Sequence, residues 1–415
     1  MTDKRFIASL DIGTSKVCAF IFENTPNGLS FLGAGCAANE GVENGKVVDV
    51  EKTTQSIYAA LENADSMAGK TIINVWVGVS GKHIHSLKAV GKFTLVGDDE
   101  NDGNQVEVSQ ESIQAAIESA KAIQLPSDRI LLHAIPQSYS IDNGESLRNA
   151  IGMPAKKLEA SVNIITADNR ELAGLYASLQ KNDLIIKKLI LEPLASSYSV
   201  LSEEEKESGV ALVDIGAGTT DVAIYFSNAL VHTSVIPFGG LNITKDIAQI
   251  LHVTEKDAEE LKLVHGTCFP KHALQDKIFD IQSIGDQPYR NINESELAMY
   301  IEARMEEILA FLHQNIKESG YLTRLTAGIV FTGGGSHLKG LLELSSKLFD
   351  IPIRLGEPKN IENMPAEFLK AEYSTAIGLA QVGLEEMRLI EEKRKEQFKI
   401  KELFGRIKKF AQKHF

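Results

Sequence analysis

Two short segments of similar sequence each combine an aspartate with glycines and small hydroxyl residues. Asp11–Lys16 (DIGTSK) is echoed 203 residues later by Asp214–Thr219 (DIGAGT). Glycines let backbone N–H groups crowd around a phosphate, and hydroxyl groups add further donors. The carboxylate of an aspartate can hold Mg²⁺, usually through water. One such segment alone is more simply a turn in a sheet, but a matched pair predicts a site that grips a polyphosphate from two sides.

The two commonest phosphate-binding patterns do not account for these segments. The Walker pattern is absent, because Gly69-Lys70-Thr71 lacks its leading glycine. The dinucleotide pattern starts at Gly216 but has Asp221 in place of its last glycine, and a strand follows where a helix is required. The predicted phosphate site is therefore a pair of β-hairpins.

Two other segments have the composition of a nucleoside site. Ile329–Thr332 reads as a strand that runs into Gly333–Gly335, with a helix starting at Ser336. A base or ribose could lie against this bare backbone beside a helix N-terminus, although a close-packed turn is the simpler alternative. Glu259 and Lys262 lie three residues apart on one predicted helix and share a face. They could bind ribose hydroxyls, or form an ordinary solvated pair.

The elements around these segments predict a mixed α/β fold. Apolar strands lead into and out of both aspartate turns, which suggests two similar α/β domains. Strands alternate with helices along the rest of the chain. The predicted strands include Ile72–Val79 and Leu184–Leu191, and the predicted helices are Ser109–Ala122, Arg170–Leu179, Asn242–Leu251, Glu255–Val264, Ser295–Ser319, Ser336–Leu348 and Ser374–Leu384.

Composition narrows the class of protein. The 415-residue chain has a net charge of -13, so no nucleic-acid partner is expected. Cys18, Cys36 and Cys268 are widely spaced, which supports neither a zinc ribbon nor a disulfide framework and fits a reducing cytosol. No signal peptide and no apolar run of about 18 residues is present.

The C-terminal segment has the opposite charge to the rest of the chain. Residues 393–415 contain nine Lys or Arg and two Glu. Helical spacing places apolar residues on one face and basic residues around it, which predicts a helix that lies on an anionic bilayer surface; a terminal helix docked on the protein body is the alternative. The membrane-facing set is Ile400, Leu403, Phe404, Ile407 and Phe410, with Lys408 and Lys409.

Together these segments resemble the ATP signature of the superfamily of actin, DnaK-type chaperones and sugar kinases. The two hairpins, Glu192-Pro193, Glu259-x-x-Lys262 and Gly334–Ser336 occur in its order. Their forms, with Phe238-Gly239-Gly240 and the basic tail, are similar to those of the bacterial cell-division FtsA family. This resemblance implies an α/β, actin-like, two-lobed ATPase fold with duplicated RNase H-like domains and a family-specific inserted subdomain.

The resemblance also implies roles for individual residues. Asp11 and Asp214 would hold hydrated Mg²⁺, and Glu192 and Asp214 would be the catalytic pair next to the attacking water. The phosphate-binding set would be Gly13, Thr14, Ser15, Lys16, Gly216, Gly218, Thr219 and Thr220. The adenosine-binding set would be Glu259, Lys262, Gly334, Gly335 and Ser336. The implied cofactors are ATP and Mg²⁺, with slow or dispensable hydrolysis.

The implied domain limits follow the superfamily's plan. They are 1–82 with 166–205 for the first-lobe core, 83–165 for the inserted subdomain, 206–240 with 313–384 for the second-lobe core, 241–312 for the second-lobe small subdomain, 385–397 for a charged linker and 398–415 for the amphipathic helix. The resemblance places the binding of the C-terminal peptide of FtsZ, the tubulin-like division protein, in the small subdomain.

The function implied is that of an ATP-binding protein that self-assembles into filaments and anchors the FtsZ ring to the inner face of the cytoplasmic membrane at the division site, where later division proteins join it. One alternative is the related cytoplasmic adaptor of pilus assembly, which lacks the basic tail. Another is a sugar or acetate kinase, for which no acceptor-site aspartate is evident in the first lobe.

Overall fold

The computed structural model describes residues 5–95, 105–274, 276–281, 290–359 and 361–392. The predicted amphipathic helix, residues 398–415, lies outside these residues. None of the helices described in these ranges is long and apolar enough to cross a membrane.

The first lobe is built on a five-stranded sheet in the order β12-β6-β1-β2-β3. Helix α1, capped by Asp49, packs on one face, and a helix over residues 374–392, here α10, packs on the other. A side chain on Gly35 in β3 would collide with the backbone of α1 at Ala60 and Ala64, so this glycine permits their close approach. The elements are β1 (Phe6–Ile12), β2 (Lys16–Thr25), β3 (Gly28–Ala38), β4 (Val42–Glu43), β5 (Lys46–Val47), α1 (Val50–Ala68), β6 (Asn74–Val79), α3 (Ala173–Lys181) and β12 (Ile185–Leu191).

The second lobe repeats this topology. Its sheet has the order β15-β14-β13-β18-β19, with the same two antiparallel and two parallel pairings. The central strand β13 is buried along its whole length, which explains its continuous apolar run. The elements are α4 (Glu192–Val200), α5 (Glu203–Ser208), β13 (Val210–Ile215), β14 (Thr220–Phe226), β15 (Ala229–Ile236), α6 (Gly240–Leu251), α7 (Glu255–His265), β16 (Ile278–Ile281), β17 (Arg290–Asn293), α8 (Glu294–Glu318), β18 (Gly328–Thr332), α9 (Leu341–Leu348) and β19 (Ile353–Leu355).

Between β6 and β12 the chain forms a separate three-stranded sheet, β7-β11-β9, with helix α2 on one face. Its elements are β7 (Ile84–Thr94), β8 (Val106–Glu107), α2 (Gln110–Lys121), β9 (Arg129–Ile141), β10 (Pro154–Ala155) and β11 (Lys157–Asp168). The repeated sheets and this insertion confirm the predicted α/β two-lobed fold class. The proposed domain limits stay a prediction.

Two sequence predictions need correction. Cys18 and Cys36 are direct cross-strand partners in β2 and β3 and form a disulfide, which their 18-residue separation did not suggest. The helix predicted over Ser336–Leu348 is interrupted: a 3-10 turn spans Gly334–His337, and α9 begins only at Leu341. Gly333 and Gly340 have φ values of 81° and 83°, which right-handed helical backbone does not allow.

The charged segment after Leu384 is helical as far as it is described. Helix α10 continues to residue 392, and Glu386 contacts the first lobe. Its carboxylate accepts a hydrogen bond from Trp76 Nε1 at 3.2 Å and pairs with Lys188. The start of the segment predicted as a charged linker, residues 385–397, is therefore tied to the first-lobe sheet.

Candidate functional site

The two aspartate turns close in the same way and face each other. Gly13 N donates to Lys16 O at 2.9 Å, and Gly216 N donates to Thr219 O at 2.8 Å. A Cβ added to Gly218 would lie 2.6 Å from Thr14 Oγ1 and 3.2 Å from Asn44 N. The structure therefore brings the two hairpins into contact across the space between the lobes.

Asn39 supports the first hairpin and was missed by the sequence analysis. Its Nδ2 donates to Gly13 O at 2.8 Å, and its backbone N–H donates to Ser15 O at 2.9 Å. Asn39 is 5% exposed. No pattern in the sequence marks it, because the contact depends on how β3 ends beside the turn.

Four carboxyl groups meet at the edge where the parallel strands of the two sheets end. Asp11 lies in β1, Glu192 is the first residue of α4, and Asp214 and Asp221 are partners in the β13–β14 hairpin. Because β1, β6 and β12 run parallel, their carboxyl ends open on one edge of the sheet. Asp221 was not among the predicted site residues, although its place in the second hairpin was visible in the sequence.

Burial raises the pKa of all four groups. It raises the pKa of Asp11 to about 7, against the attraction of Lys16 and with repulsion from Asp214. It also raises the pKa of Asp221 to about 7, with repulsion from Asp214 and Asp11. The pKa of Glu192 is raised well above its ordinary value by burial and then by Asp11, Asp221 and Asp214. Burial raises the pKa of Asp214 too, with opposition from its hydrogen bonds and Lys16.

Hydroxyl groups hold two of these carboxyls in place. Ser196 Oγ and Thr375 Oγ1 donate to Asp214 Oδ2 at 2.6 and 3.1 Å. Thr219 Oγ1 donates to Asp221 Oδ2 at 3.1 Å, and Ser80 donates to its other oxygen. Ser80 follows β6 of the first lobe, so the bond from Ser80 to Asp221 crosses between the lobes.

Lys16 lies at the cleft but has a partner. Its Nζ is 3.3 Å from a carboxylate oxygen of Glu372 and 4.2 Å from the ring centre of Tyr373. Its charge nonetheless lowers the pKa of Asp11 and Asp214. The structure therefore places this predicted phosphate ligand near the carboxyl cluster, in an ion pair with the segment that leads into α10.

Glu259 and Lys262 do not form a solvated pair. Lys262 Nζ lies 2.7 Å from Glu259 Oε2, and it also donates to Gly240 O at 3.0 Å and to Thr244 Oγ1 at 2.8 Å. Burial lowers the pKa of Lys262, with opposition from Glu259. The start of α6 is in turn tied to the second hairpin, because Gly240 N donates to Gly216 O at 2.9 Å. The predicted adenosine pair is thus connected to the predicted phosphate turn.

Three other residues predicted to bind phosphate or adenosine are already in close contact with the rest of the protein. Ser336 is 5% exposed, and its Oγ donates to Gly333 O at 2.6 Å. Thr220 is fully buried, and its Oγ1 donates to Phe238 O at 2.8 Å. Gly335 lies against Ile215, where a side chain would collide, whereas a Cβ on Gly334 would meet only Glu372 at 3.8 Å. Of the two glycines predicted to bind adenosine, Gly334 therefore has the more open backbone.

A metal site built from protein atoms alone does not form here. In the described ranges, no group of three or more His, Cys, Asp or Glu side chains is placed to hold a metal ion. The carboxyl cluster nevertheless has the donor chemistry that Mg²⁺ prefers, which is carboxylate oxygen combined with water. A divalent cation near these four groups would favour their ionised forms, against the burial that raises their pKa values.

Comparison with known families adds an independent finding. The family model described as Cell division protein FtsA matches residues 211–378, and that of the SHS2 domain inserted in FTSA matches residues 81–166. The chain is 38% identical to the cell division protein FtsA of Pseudomonas aeruginosa over 92% of this chain and 90% of that protein.

Solved structures show the same fold at low identity. A PilM–PilN complex of type IV pilus biogenesis has a TM-score of 0.62 at 17% identity, covering 91% of this chain and 98% of that one. The ADP-bound MreB5 of Spiroplasma citri has a TM-score of 0.55 at 14% identity, covering 93% and 98% of the two chains.

Proposed function

The chain belongs to the FtsA family of cell division proteins, and from this premise we propose that it binds ATP in the cleft and assembles with ATP into filaments. The observation that carries the proposal is the contact between the two hairpin turns, with Gly218 against Thr14. A polyphosphate between such turns meets backbone N–H groups from both lobes. Binding would therefore couple the nucleotide to the relative position of the lobes.

The phosphate contacts follow from this arrangement. Gly13, Thr14, Ser15 and Lys16 form one side, and Gly216, Gly218, Thr219 and Thr220 form the other. Lys16 would exchange its ion pair with Glu372 for the phosphates, since a polyphosphate carries more charge than one carboxylate. Glu259, Lys262, Gly334, Gly335 and Ser336 would hold the adenosine, with Gly334 offering its backbone.

Asp11 and Asp214 are the proposed partners of hydrated Mg²⁺, and Asp221 joins them because it lies opposite Asp214 in the hairpin. The cation would supply charge neutralisation for the phosphates and for these carboxylates. Among the chain's own groups, Ser196 and Thr375 orient Asp214, and Ser80 and Thr219 orient Asp221.

Glu192 is the proposed base that orients the attacking water. Its raised pKa makes the carboxylate a better proton acceptor than a solvated glutamate. Gly78 lies beside it, and a Cβ there would come within 3.0 Å of Glu192 Cγ. The glycine therefore leaves room for Glu192 to reach into the cleft. Slow turnover fits a nucleotide that controls assembly more than it drives chemistry.

The cellular role proposed is attachment of the FtsZ ring to the inner face of the cytoplasmic membrane, with recruitment of later division proteins. The C-terminal peptide of FtsZ would bind the second-lobe small subdomain, residues 241–312. The amphipathic helix over residues 398–415 would bind anionic lipid, and self-association into filaments would multiply this weak attachment. The basic tail and the similarity to FtsA proteins over 92% of the chain favour this role over a pilus adaptor.

A thermal unfolding experiment tests the nucleotide proposal. A ligand that binds only the folded state raises the melting temperature. We expect ATP with Mg²⁺ to raise it more than GTP at equal concentration. Equal shifts, or a larger shift with GTP, would rule out the adenosine assignment, whereas a larger shift with a sugar phosphate would favour the kinase alternative.

A further inference from the structure

A cavity of about 420 Å³ lies between the inserted sheet and the second lobe, outside the hairpin cleft. One wall is β7, with Lys82 just before it, and the other is β15, the edge strand of the second-lobe sheet. Beside it, Gln137 Nε2 of β9 donates to the carbonyls of Leu230 and Val231 at 3.2 and 3.3 Å. These bonds connect the insertion to the strand that forms the opposite wall.

The lining of this cavity is basic in an acidic protein. Lys82, His85, Lys88 and His232 line it, and none of the described residues that line it is acidic. Other lysines in this chain form ion pairs, for example Lys92 with Glu159 on the same sheet. Lys82 and Lys88, by contrast, have no ion pair within the described part of the chain. Lys88 is close enough to His232 to lower the pKa of that imidazole, although burial is the larger cause.

A buried amide adds a second, independent observation. Asn163 lines the cavity and is only 2% exposed. Its Oδ1 accepts a hydrogen bond from Ser86, but its Nδ2 has no partner in the structure. A buried donor without a partner costs free energy, and such groups in folded proteins normally meet a ligand or water.

From this arrangement we propose that the cavity is a binding site for a small phosphate-bearing anion. Lys88 and Asn163 of the insertion would donate to its oxygens, with Lys82 at the junction. His232 of the second lobe, whose Nε2 is hydrogen-bonded to Asn315 Oδ1 at 3.4 Å, would lie in the opposite wall. Charge-assisted hydrogen bonds from several fixed donors suit a dianionic phosphate. Because β7 and Asn163 form one wall of the cavity and β15 forms the other, a bound anion would lie between the insertion and the second lobe.

The site is adjacent to the nucleotide cleft but separate from it. Lys82 also lines a neighbouring cavity of about 300 Å³ that reaches Gly218 of the second hairpin. A test of phosphate binding therefore needs a signal local to the cavity. The ring of His232 provides one, because it lies on β15 and not among the predicted nucleotide ligands.

The experiment is an NMR titration of the full chain with inorganic phosphate, at fixed pH and ionic strength and without nucleotide. The resonance of His232 is assigned with a His232→Gln variant. We expect a saturable shift of this resonance. Lys88→Ala should weaken the apparent affinity for phosphate about tenfold or more, because it removes one charge-assisted hydrogen bond. Lys92→Ala, on the same strand with the same charge change, should leave the affinity unchanged.

A His232 resonance that does not move, or equal affinities for Lys88→Ala and Lys92→Ala, would overturn the proposal. A parallel titration with glycerol 3-phosphate separates the two sources of the anion: tighter binding than inorganic phosphate identifies a phosphate ester, and weaker binding identifies free phosphate. The result is independent of the nucleotide proposal. If ATP failed to raise the melting temperature, the His232 titration would still report on this cavity alone.

Discussion

Asp214 and Asp221 lie directly opposite each other in the β13–β14 hairpin, with both carboxyl groups buried beside Asp11 and Glu192. Like charges in such cross-strand positions repel. The structure separates their hydrogen-bond partners: Asp214 accepts from Ser196 and Thr375, whereas Asp221 accepts from Ser80 and Thr219. The pair therefore joins α4, α10 and the end of β6 at one point between the lobes.

Removing the carboxyl group of Asp214 should abolish the Mg²⁺-dependent part of ATP binding. We expect the ATP affinity of Asp214→Ala to be at least about tenfold lower, because the variant loses one charge-assisted interaction. Calorimetric titration with and without Mg²⁺, together with a phosphate-release assay, measures this. The exposed Asp350→Ala is the control for a lost negative charge. Unchanged ATP affinity and turnover in Asp214→Ala would contradict the role proposed for this residue.

The raised pKa of Asp221 predicts how stability depends on pH. Its pKa rises from 3.8 in the unfolded chain to about 7 in the folded protein. Between these values the folded state binds more protons, so this carboxyl makes the protein less stable as pH rises. Asp221→Asn removes the titration. It should therefore gain stability relative to the wild type from pH 5 to pH 8.

The gain in the free energy of unfolding should be on the order of 2 kcal/mol. Denaturant unfolding at several pH values without Mg²⁺ measures it. Asp350→Asn serves as the exposed control and should show no such pH-dependent difference. A difference between wild type and Asp221→Asn that stays constant with pH would show that Asp221 does not titrate in this range.

Gly218 is required by the closeness of the hairpins. A Cβ at this position would lie 2.6 Å from Thr14 Oγ1. Gly218→Ala should therefore separate the turns, with a loss of about 1–3 kcal/mol in stability and weaker ATP binding. Gly334→Ala is the matched control for stability, because its added Cβ meets nothing closer than 3.8 Å.

Thr14→Ala tests whether the Gly218 effect acts through this contact. The double variant Gly218→Ala with Thr14→Ala should recover part of the lost stability, since the colliding hydroxyl is gone. Chemical denaturation of the four proteins in the cycle gives the coupling energy. Strictly additive effects would show that the turns do not touch.

The C-terminal segment should bind anionic vesicles through its apolar face. Phe404→Glu should impair binding more than Lys408→Ala. Lys408→Ala loses only one surface attraction of about 1 kcal/mol, whereas Phe404→Glu forces a charge into the boundary of the acyl chains, which costs more. High salt should weaken binding without abolishing it. Co-sedimentation with liposomes, with and without residues 393–415, provides the measurement. Equal binding by the wild type and Phe404→Glu would favour a docked terminal helix.

Local patterns predicted many of the elements, although α1 and the three strands of the inserted sheet were not among the predictions. The strand predicted over Leu184–Leu191 is observed as Ile185–Leu191, whereas α4, which follows it at Glu192, was not among the predicted helices. The helix predicted over Ser295–Ser319 is observed as Glu294–Glu318. These features depend on side-chain periodicity and capping within one segment. The break between Gly334–His337 and α9 was missed, because a glycine run does not state which residue takes positive φ.

The sequence alone determined the repeated aspartate hairpin, the two similar domains, and hence the fold class and the family, because these are encoded in residues close together in the chain. Only the tertiary structure decided which partners the site residues have. Ser80 with Asp221, Lys16 with Glu372 and Cys18 with Cys36 are brought together by sheet pairing and lobe packing. Such contacts join residues separated by 18 to 356 positions. No local propensity encodes them, since their free energy exists only once both elements are in place.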